Sequence, residues 1–311
     1  MICAIFFAFD IVFVCLYTFL HSYFFVKQRQ MIDLHTHSSA SDGQYSPKEL
    51  VEKAKSAELC VLALTDHDTV EGLEEAKEAA KREQITFVPG IELNIKWVTG
   101  EFHLLGLGLK EISSDLKGEI KALSRARKER NQKIVAKMNE AGIDATLGEL
   151  EALYPAKSLG RPHFADFLVQ KKVVKSKQEA FDKYLAKGRA FYCEKEGADL
   201  DFAVDAILSS GGVPVIAHPL SLYLSWGKIE GVLSEIRSRG VQGLEAWHPG
   251  ARETDCKRLE EMARRLGFFI TAGSDFHGEK VRADRKLGHT AGNRKIADSY
   301  YTDELLKFLK V

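Results

Sequence analysis

No C-x-x-C pair occurs anywhere in the 311 residues, and the cysteines number only five. Cys3 and Cys15 lie in an apolar head, and Cys60 sits in a second apolar run. A disulfide framework and a thiolate zinc site are therefore not expected, and a reducing compartment, the cytoplasm, fits better. Net charge is missing too, with 44 Lys+Arg against 44 Asp+Glu. A zero balance argues against a protein that coats duplex nucleic acid by bulk positive charge, while leaving room for a local basic patch. There is no Gly/Ser linker, internal repeat or low-complexity tract. With 45% hydrophobic and 28% charged residues the chain is an ordinary globular sequence, long enough for one large domain or two small ones. No G-x-S-x-G elbow and no P-loop offers a nucleophile or a phosphate cradle.

What is present falls into two unlike parts. Of residues 1–26, 22 are apolar, seven of the 18 Phe lie there, and Asp10 is the only charge. The stretch is long enough to span a bilayer, but Asp10 would cost roughly 2.5–3.5 kcal/mol near the centre of a spanning helix. It has neither the basic start nor the small-residue cleavage site of a secretory signal. Two readings stand. Residues 1–30 are a membrane anchor, whose flanking Lys27 and Arg29 place the rest of the chain in the cytoplasm, or they are upstream sequence and Met31 is the true start. Membrane contact is expected only through residues 1–26, and neither reading gives the head any chemistry.

From Met31 onward, apolar β-branched runs alternate with charged amphipathic ones. The spacing predicts strands over Ile32–His37, Cys60–Asp66, Thr86–Leu93, Phe102–Gly108, Val213–His218, Val241–Trp247 and Phe268–Gly273. Helices are predicted over Pro47–Ala57 and Glu71–Glu83. Ser46-Pro47-Lys48-Glu49 combines an N-cap, an N1 proline and an acid at N3, and Asp68-x-x-Glu71 reads as a second capping signature. Repeated strand–helix alternation argues for an α/β fold with a parallel sheet, and seven such strands argue for a barrel. The rhythm breaks over 111–202, which is Lys/Glu-rich and helix-like. The expected organisation is a head at 1–30, a barrel from 31–110 and 203–311, and a helical insertion at 111–202.

The histidines mark the site. In Asp33-Leu34-His35-Thr36-His37 the two imidazoles are two apart, so on a strand both face the same side. Asp42 follows in a Ser/Gly loop. His67 closes the second strand, Glu92 follows Pro89-Gly90 in the third, and His103 opens the fourth. His218 lies in Ala-His-Pro, and Asp275 and His277 lie in Ser-Asp-x-His. Taken singly, each has an ordinary explanation: a satisfied polar residue, or an Asp that caps the next helix. Together, six imidazoles and three carboxylates at the ends of six strands would be costly to gather without cations. Imidazole and carboxylate without thiolate suit Mn²⁺, Zn²⁺ or Fe²⁺, and nine ligands exceed one tetrahedral ion, so two or three divalent ions are expected.

The series H-x-H, D, D-H, P-G-x-E, H, A-H-P, S-D-x-H resembles the PHP (polymerase and histidinol phosphatase) family of metal-dependent phosphoesterases, from Met31 to about His289. The resemblance implies a distorted seven-stranded (β/α) barrel holding three metals. It implies that His35, His37, Glu92 and Asp275 hold the first. Glu92 would bridge to a second metal on His103 and His218, and Asp42, His67 and His277 would hold the third. Three divalent ions would outweigh three carboxylates, so the neutral composition would hide a cationic pocket.

Within the helix-like stretch Ile120–Met138, Arg127 and Arg130 fall on the apolar stripe with Leu123, Ile134 and Met138. They should face inward, either to meet an anion or to snorkel beside a core edge. Gly160-Arg161-Pro162-His163 reads as a loop entering a helix, where backbone N–H groups and Arg161 could hold a phosphate, or as an exposed helix start. These motifs resemble the PHP branch of 3′,5′-nucleoside bisphosphate phosphatases and 5′→3′ exoribonucleases, which implies substrate contacts for Arg127, Arg130, Arg161 and His163. The expected substrate is then a small phosphorylated nucleotide or short RNA, with no obligate protein partner. His248 is a candidate general acid or a structural histidine. Asp66 and Asp68 are candidate orienters of His67, with Asp68 preferred as a helix cap. The alternatives are a phosphatase for a small monoester such as histidinol phosphate, and a membrane-tethered metal- or nucleotide-binding module.

Overall fold

The computed structural model of the chain describes residues 30–154, 159–194 and 197–309. The apolar head at 1–29 lies outside them, as do the two readings of it. Among the described residues no helix is long and apolar enough to cross a membrane. Seven strands form one sheet in chain order: β1 Met31–Asp33, β2 Leu59–Leu64, β3 Thr86–Ile95, β4 Phe102–Leu107, β5 Val213–Ile216, β6 Gly243–Trp247 and β7 Phe269–Ala272.

The sheet is mixed, which corrects the expectation of a parallel one. β4 runs antiparallel to both β3 and β5, and the other pairs are parallel. Only residues 96–101 join β3 to β4, too few for a crossover helix, so the chain must turn straight back. β3 changes partner at Pro89-Gly90, pairing with β2 over Thr86–Pro89 and with β4 over Gly90–Ile95. Glu92 lies within the half of β3 that pairs with β4, inside the predicted run Thr86–Leu93.

Just past their last ladder residues β1 and β7 meet. His37 donates its N–H to Phe276 O (2.9 Å), Asp275 donates to His35 O (2.9 Å), and Thr36 bridges Phe276 in parallel. β1 is also shorter than expected, ending at Asp33, so these bonds and not strand pleating orient His35 and His37.

Helix α1, Pro47–Ser56, starts on the predicted capping box: Ser46 Oγ accepts from Glu49 N, and Glu49 Oε2 accepts from Ser46 N. Helix α2, Leu73–Glu83, starts at Gly72, so Asp68 is not its cap. β2 carries core on both faces: Val61 and Ala63 join the main cluster, while Leu62 and Leu64 lie under Leu50, Val51 and Ala54 of α1 and the alanines of α2.

After β4 come α3 Ser114–Glu140, α4 Leu147–Leu153, α5 Arg161–Gln170 and α6 Lys177–Ala180, then α7 Leu200–Ser209, α8 Trp226–Ser238 and α9 Glu253–Arg265. α3 is 27 residues long and serves two cores. Leu116 and Leu123 pack into the sheet's cluster, whereas Ile134 and Met138 pack with Leu150, Phe164, Phe167 and Phe191 in a second one.

Candidate metal centre and active site

The predicted residues converge at one end of the sheet. His35 and His37 follow β1, His67 follows β2, His218 follows β5, and Asp275 and His277 follow β7. Because β4 is reversed, His103 at its start lies at the end where its neighbours stop. Asn94 and His103 are directly paired across β3–β4, and Glu92 shares their face. Asp42 comes from the loop before α1.

Glu92 is the hub. Its Oε1 lies 2.9 Å from His103 Nδ1 and 3.0 Å from His218 Nε2. Its Oε2 lies 2.9 Å from His67 Nδ1, 3.3 Å from His37 Nε2 and 3.5 Å from His35 Nε2. Asp275 Oδ1 stands 3.4 Å from His37 Nε2 and 3.7 Å from His35 Nε2. Asp42 meets His277 Nε2 at 3.3 Å and His67 Nε2 at 4.0 Å. Four sets of ligand atoms lie together: His37, Asp42, His67 and His277; His35, His37 and Asp275; His35, Glu92 and His218; and His67, Glu92 and His103.

These residues fit divalent ions. His35 Nε2 and His37 Nε2 face each other at 3.1 Å. His35 Nδ1 is 3.0 Å from Glu245 Oε1, which assigns the proton to Nδ1 and leaves Nε2 a lone pair. His218 behaves alike. Ser221 Oγ donates to Glu101 O, so it accepts from His218 Nδ1, and Nε2 turns a lone pair toward Glu92. His37 Nδ1, His67 Nδ1 and Glu92 Oε2 are buried with no hydrogen-bond partner among the described residues. Lone pairs aimed at shared points, and not at donors, are what a cation satisfies. Ligands at about 2.0–2.2 Å around a tetrahedral ion lie about 3.3–3.6 Å apart, close to the spacings found here.

Without cations the same crowded charges favour a proton at some of these ligand atoms, with which a metal ion would compete. Burial opposes charge on His35, but Glu245 and Glu92 outweigh it and hold its pKa well above the ordinary imidazole value. Burial, then His277 and His67, drive His37 down to about 3. Burial also opposes ionisation of Glu92, yet the surrounding imidazoles keep it well below the usual carboxylate range. Two imidazoles in contact are thus pushed in opposite directions by an unevenly compensated cluster. Backbone strain collects here as well, with His218 at φ 28° and Asp68 and Asp275 at φ 52°.

Arg127, Arg130 and Arg161 line the same cavity of about 640 Å³, with His67, His103, His218 and Asp275. Arg127 pairs with Asp68, whose carboxylate also accepts from Asn94 N and Nδ2. This network is what Asp68 does in place of capping α2. Arg161 pairs with Glu101 at 2.9 Å. Arg130 is only 7% exposed, and its hydrogen bonds go to neutral acceptors, Asn131 Oδ1 and Leu159 O. His163 does not line the cavity. Its Nδ1 accepts from Gly160 N, 2.9 Å away, closing the first turn of α5. Nor does Asp66 orient His67, because its oxygens take Ser38 N, Ser38 Oγ and Ser41 Oγ and so pin the loop that carries Asp42.

The match to known proteins follows this geometry. The PHP domain family matches residues 33–205. The 3′,5′-nucleoside bisphosphate phosphatase of Chromobacterium violaceum is 35% identical over 260 residues, which are 83% of this chain and 91% of that protein. The chain belongs to the PHP domain family. The 5′-3′ exoribonuclease Rnm of Escherichia coli is 32% identical over 265 residues, 84% of this chain and 90% of its own. A solved structure from Bifidobacterium adolescentis, provisionally assigned as a metal-dependent phosphoesterase, superposes with a TM-score of 0.77 at 26% identity, over 91% of this chain and 97% of that one. This PHP protein is a hydrolase of phosphoester bonds.

Four contributors to the PHP site escaped sequence reasoning. Glu245 holds His35 Nδ1 and also accepts from His218 N at 2.8 Å. Its signal was there, since it is the one charge within the apolar strand Gly-Leu-Glu-Ala-Trp. Buried Asp33 accepts from the backbone N–H groups of His35, Ser274 and Gly288, tying the ends of β1 and β7 together. Arg282 and Arg285 line the cavity from a charged segment that reads as a solvated loop.

Gly273 makes the approach of β7 to this cluster possible. A Cβ there would collide with His35 Cβ and the Glu245 carboxylate. Gly273→Ala is expected to destabilise the fold by about 1–3 kcal/mol through overpacking and to lower the bound-metal content. Gly227→Ala on α8, where a Cβ meets nothing within 4 Å, is the control and should not lower the melting temperature. Thermal denaturation with elemental analysis reads both.

Proposed function

We propose that this PHP protein hydrolyses phosphate from nucleotides carrying two phosphate groups, such as 3′,5′-nucleoside bisphosphates, or trims short RNA from a 5′-phosphate in the 5′→3′ direction. One observation carries the nucleotide reading. A buried arginine with no carboxylate partner among the described residues, Arg130, lines the cavity that holds the histidine–carboxylate cluster. A substrate with one phosphate at the cluster and another at Arg127, Arg130 and Arg161 would satisfy both. The names of the Chromobacterium violaceum and Escherichia coli relatives support the same substrate class.

In this reading two or three divalent ions, Mn²⁺, Zn²⁺ or Fe²⁺, would be held by His35, His37, Asp42, His67, Glu92, His103, His218, Asp275 and His277, and would supply an activated water and neutralisation of the phosphoryl oxygens. Glu92 would contribute to more than one ion position, because its two oxygens face different imidazoles. Glu245 fixes the tautomer of His35. His248 Nδ1 accepts from Gly250 N at 3.1 Å, which assigns its proton to Nε2. That nitrogen lies 3.3 Å from Asp275 Oδ2 and serves as a hydrogen-bond donor at the cavity wall, because burial lowers the ring's pKa and disfavours the imidazolium that a general acid requires. Arg127, Arg130 and Arg161 bind and orient the phosphate that is not cleaved.

The test is phosphate release by the full chain, supplied with Mn²⁺, from adenosine 3′,5′-bisphosphate, histidinol phosphate and a 5′-phosphorylated oligoribonucleotide. The bisphosphate or the oligonucleotide is expected to be preferred, and preference for histidinol phosphate would overturn the nucleotide reading. Arg161 is already paired with Glu101 and partly exposed, so its contribution should be to uniform binding. Arg161→Ala is expected to raise KM about tenfold with little change in kcat, the effect of losing about 1.4 kcal/mol of binding.

A further inference from the structure

Asp275 uses its two oxygens differently. Oδ1 faces His35, His37 and His277, whereas Oδ2 turns toward His248 Nε2 at 3.3 Å, Arg285 Nε at 3.8 Å and Arg282 Nη1 at 4.0 Å. Neither guanidinium is near enough to Oδ2 for a hydrogen bond. Both instead share the exposed Asp284, at 3.0 Å from Arg285 Nη1 and 3.2 Å from Arg282 Nε. The Arg285 side chain is only 7% exposed, and its Nε is buried with no hydrogen-bond partner among the described residues. Gly250 makes room for it: a Cβ there would lie 3.1 Å from Arg285 Nη2 and 2.9 Å from His248 Nδ1. His248, Arg282 and Arg285 all line the cavity. His248 follows β6 directly and the two arginines lie in the loop after β7, whereas Arg127, Arg130 and Arg161 come from α3 and α5.

We propose that Arg282 and Arg285, beside His248, form a second oxyanion site that takes the phosphoryl group being transferred and retains it as inorganic phosphate, separate from the arginines of α3 and α5. A tetrahedral oxyanion offers more acceptor oxygens than the donors of this wall require. A planar fork such as Arg285 is suited to two of them at once. Asp275 then divides the work, with Oδ1 turned to the imidazole cluster and Oδ2 aligning the donors. The inference rests on the phosphoesterase reading of the same cavity. It adds that the two phosphates of a bisphosphate are held by different arginine sets.

The experiment titrates Mn²⁺-loaded full-length protein with inorganic phosphate and, separately, with adenosine 5′-monophosphate, in the wild type and in Arg285→Met, Arg285→Lys and Arg282→Gln. Inorganic phosphate affinity is expected to fall at least tenfold in Arg285→Met and severalfold in Arg282→Gln. Arg285→Lys should recover only part of the loss, since it keeps the charge but not the fork. Adenosine monophosphate, whose phosphate the other arginines hold, should bind within about threefold of the wild type, and Mn²⁺ content should be unchanged. Phosphate affinity unaltered in both Arg285→Lys and Arg282→Gln would overturn the proposal, even if Arg285→Met failed to fold. Loss of Mn²⁺ with normal phosphate affinity per loaded site would overturn it in favour of a role in positioning Asp275. Failure of the phosphoesterase reading is distinguishable, because wild-type protein would then bind phosphate without releasing it from any ester.

Discussion

Glu92→Ala is expected to abolish turnover, by more than the roughly 10²–10³-fold that removal of one transition-state donor costs. The reason is geometric. Oε1 lies about equally close to His103 and His218, and Oε2 is shared among His67, His37 and His35. A single truncation removes the one carboxylate that five imidazoles surround, and with it the negative charge that would hold cations among their lone pairs. Bound Mn²⁺ should fall by more than one ion per chain, which separates loss of a shared ligand from loss of a terminal one. Glu92→Gln keeps the shape without the charge and should fail almost as badly. A Glu92→Ala protein with full metal content and near-normal kcat would refute the bridging role. Elemental analysis and steady-state kinetics on one preparation decide it.

Arg130→Met is expected to reduce kcat/KM on adenosine 3′,5′-bisphosphate by about 10²–10³-fold, the usual range for losing one side of a desolvated, charge-assisted contact. The protein itself should be nearly as stable as the wild type, or more so. Burial, then the charges of Arg127 and Arg161, press the Arg130 guanidinium down to about 10, so the folded state holds a disfavoured cation. Methionine fills the space without that burden. The hydrogen bonds it forfeits are modest: Asn131 Nδ2 still donates to Leu159 O at 3.0 Å, and only Asn131 Oδ1 loses a donor. That loss costs about 1 kcal/mol. The decline on 4-nitrophenyl phosphate, which has no second phosphate, should be far smaller. An equal fall on both substrates, or a melting temperature lowered by many degrees, would mean that Arg130 acts on the fold. A thermal melt beside the two substrate profiles separates these outcomes.

Much of the site was legible because its residues stand at the ends of apolar strands, where a charge or an imidazole is conspicuous. Seven strand-like runs corresponded to seven strands, and the Ser46–Glu49 capping box formed as predicted. The errors have physical causes. Asp68 looked like a cap because Asp-x-x-Glu suits a helix start, but tertiary contacts with Asn94 and Arg127 held it in a left-handed turn. The motif grouped His163 with the arginines, and the structure adds a local task for it, since its Nδ1 closes the first turn of α5 on Gly160. Pro89-Gly90 within the predicted third strand is where β3 changes partners, a switch that no local signal marks.

The absence of net charge and of any C-x-x-C pair bounded what the protein could be, and the histidine–acid series determined its chemistry. Both can be read from sequence because they depend on residue type and on spacing within one element. Tertiary structure alone decided which oxygen of Glu92 meets which imidazole, that β4 runs backwards so that His103 joins the others, and that Glu245, Arg282 and Arg285 reach the same cavity. Those contacts span up to 210 residues, as between His35 and Glu245. Nothing local encodes them. They follow from how a mixed sheet and a helix shared by two cores pack, and burial energy over the whole unit sets that packing.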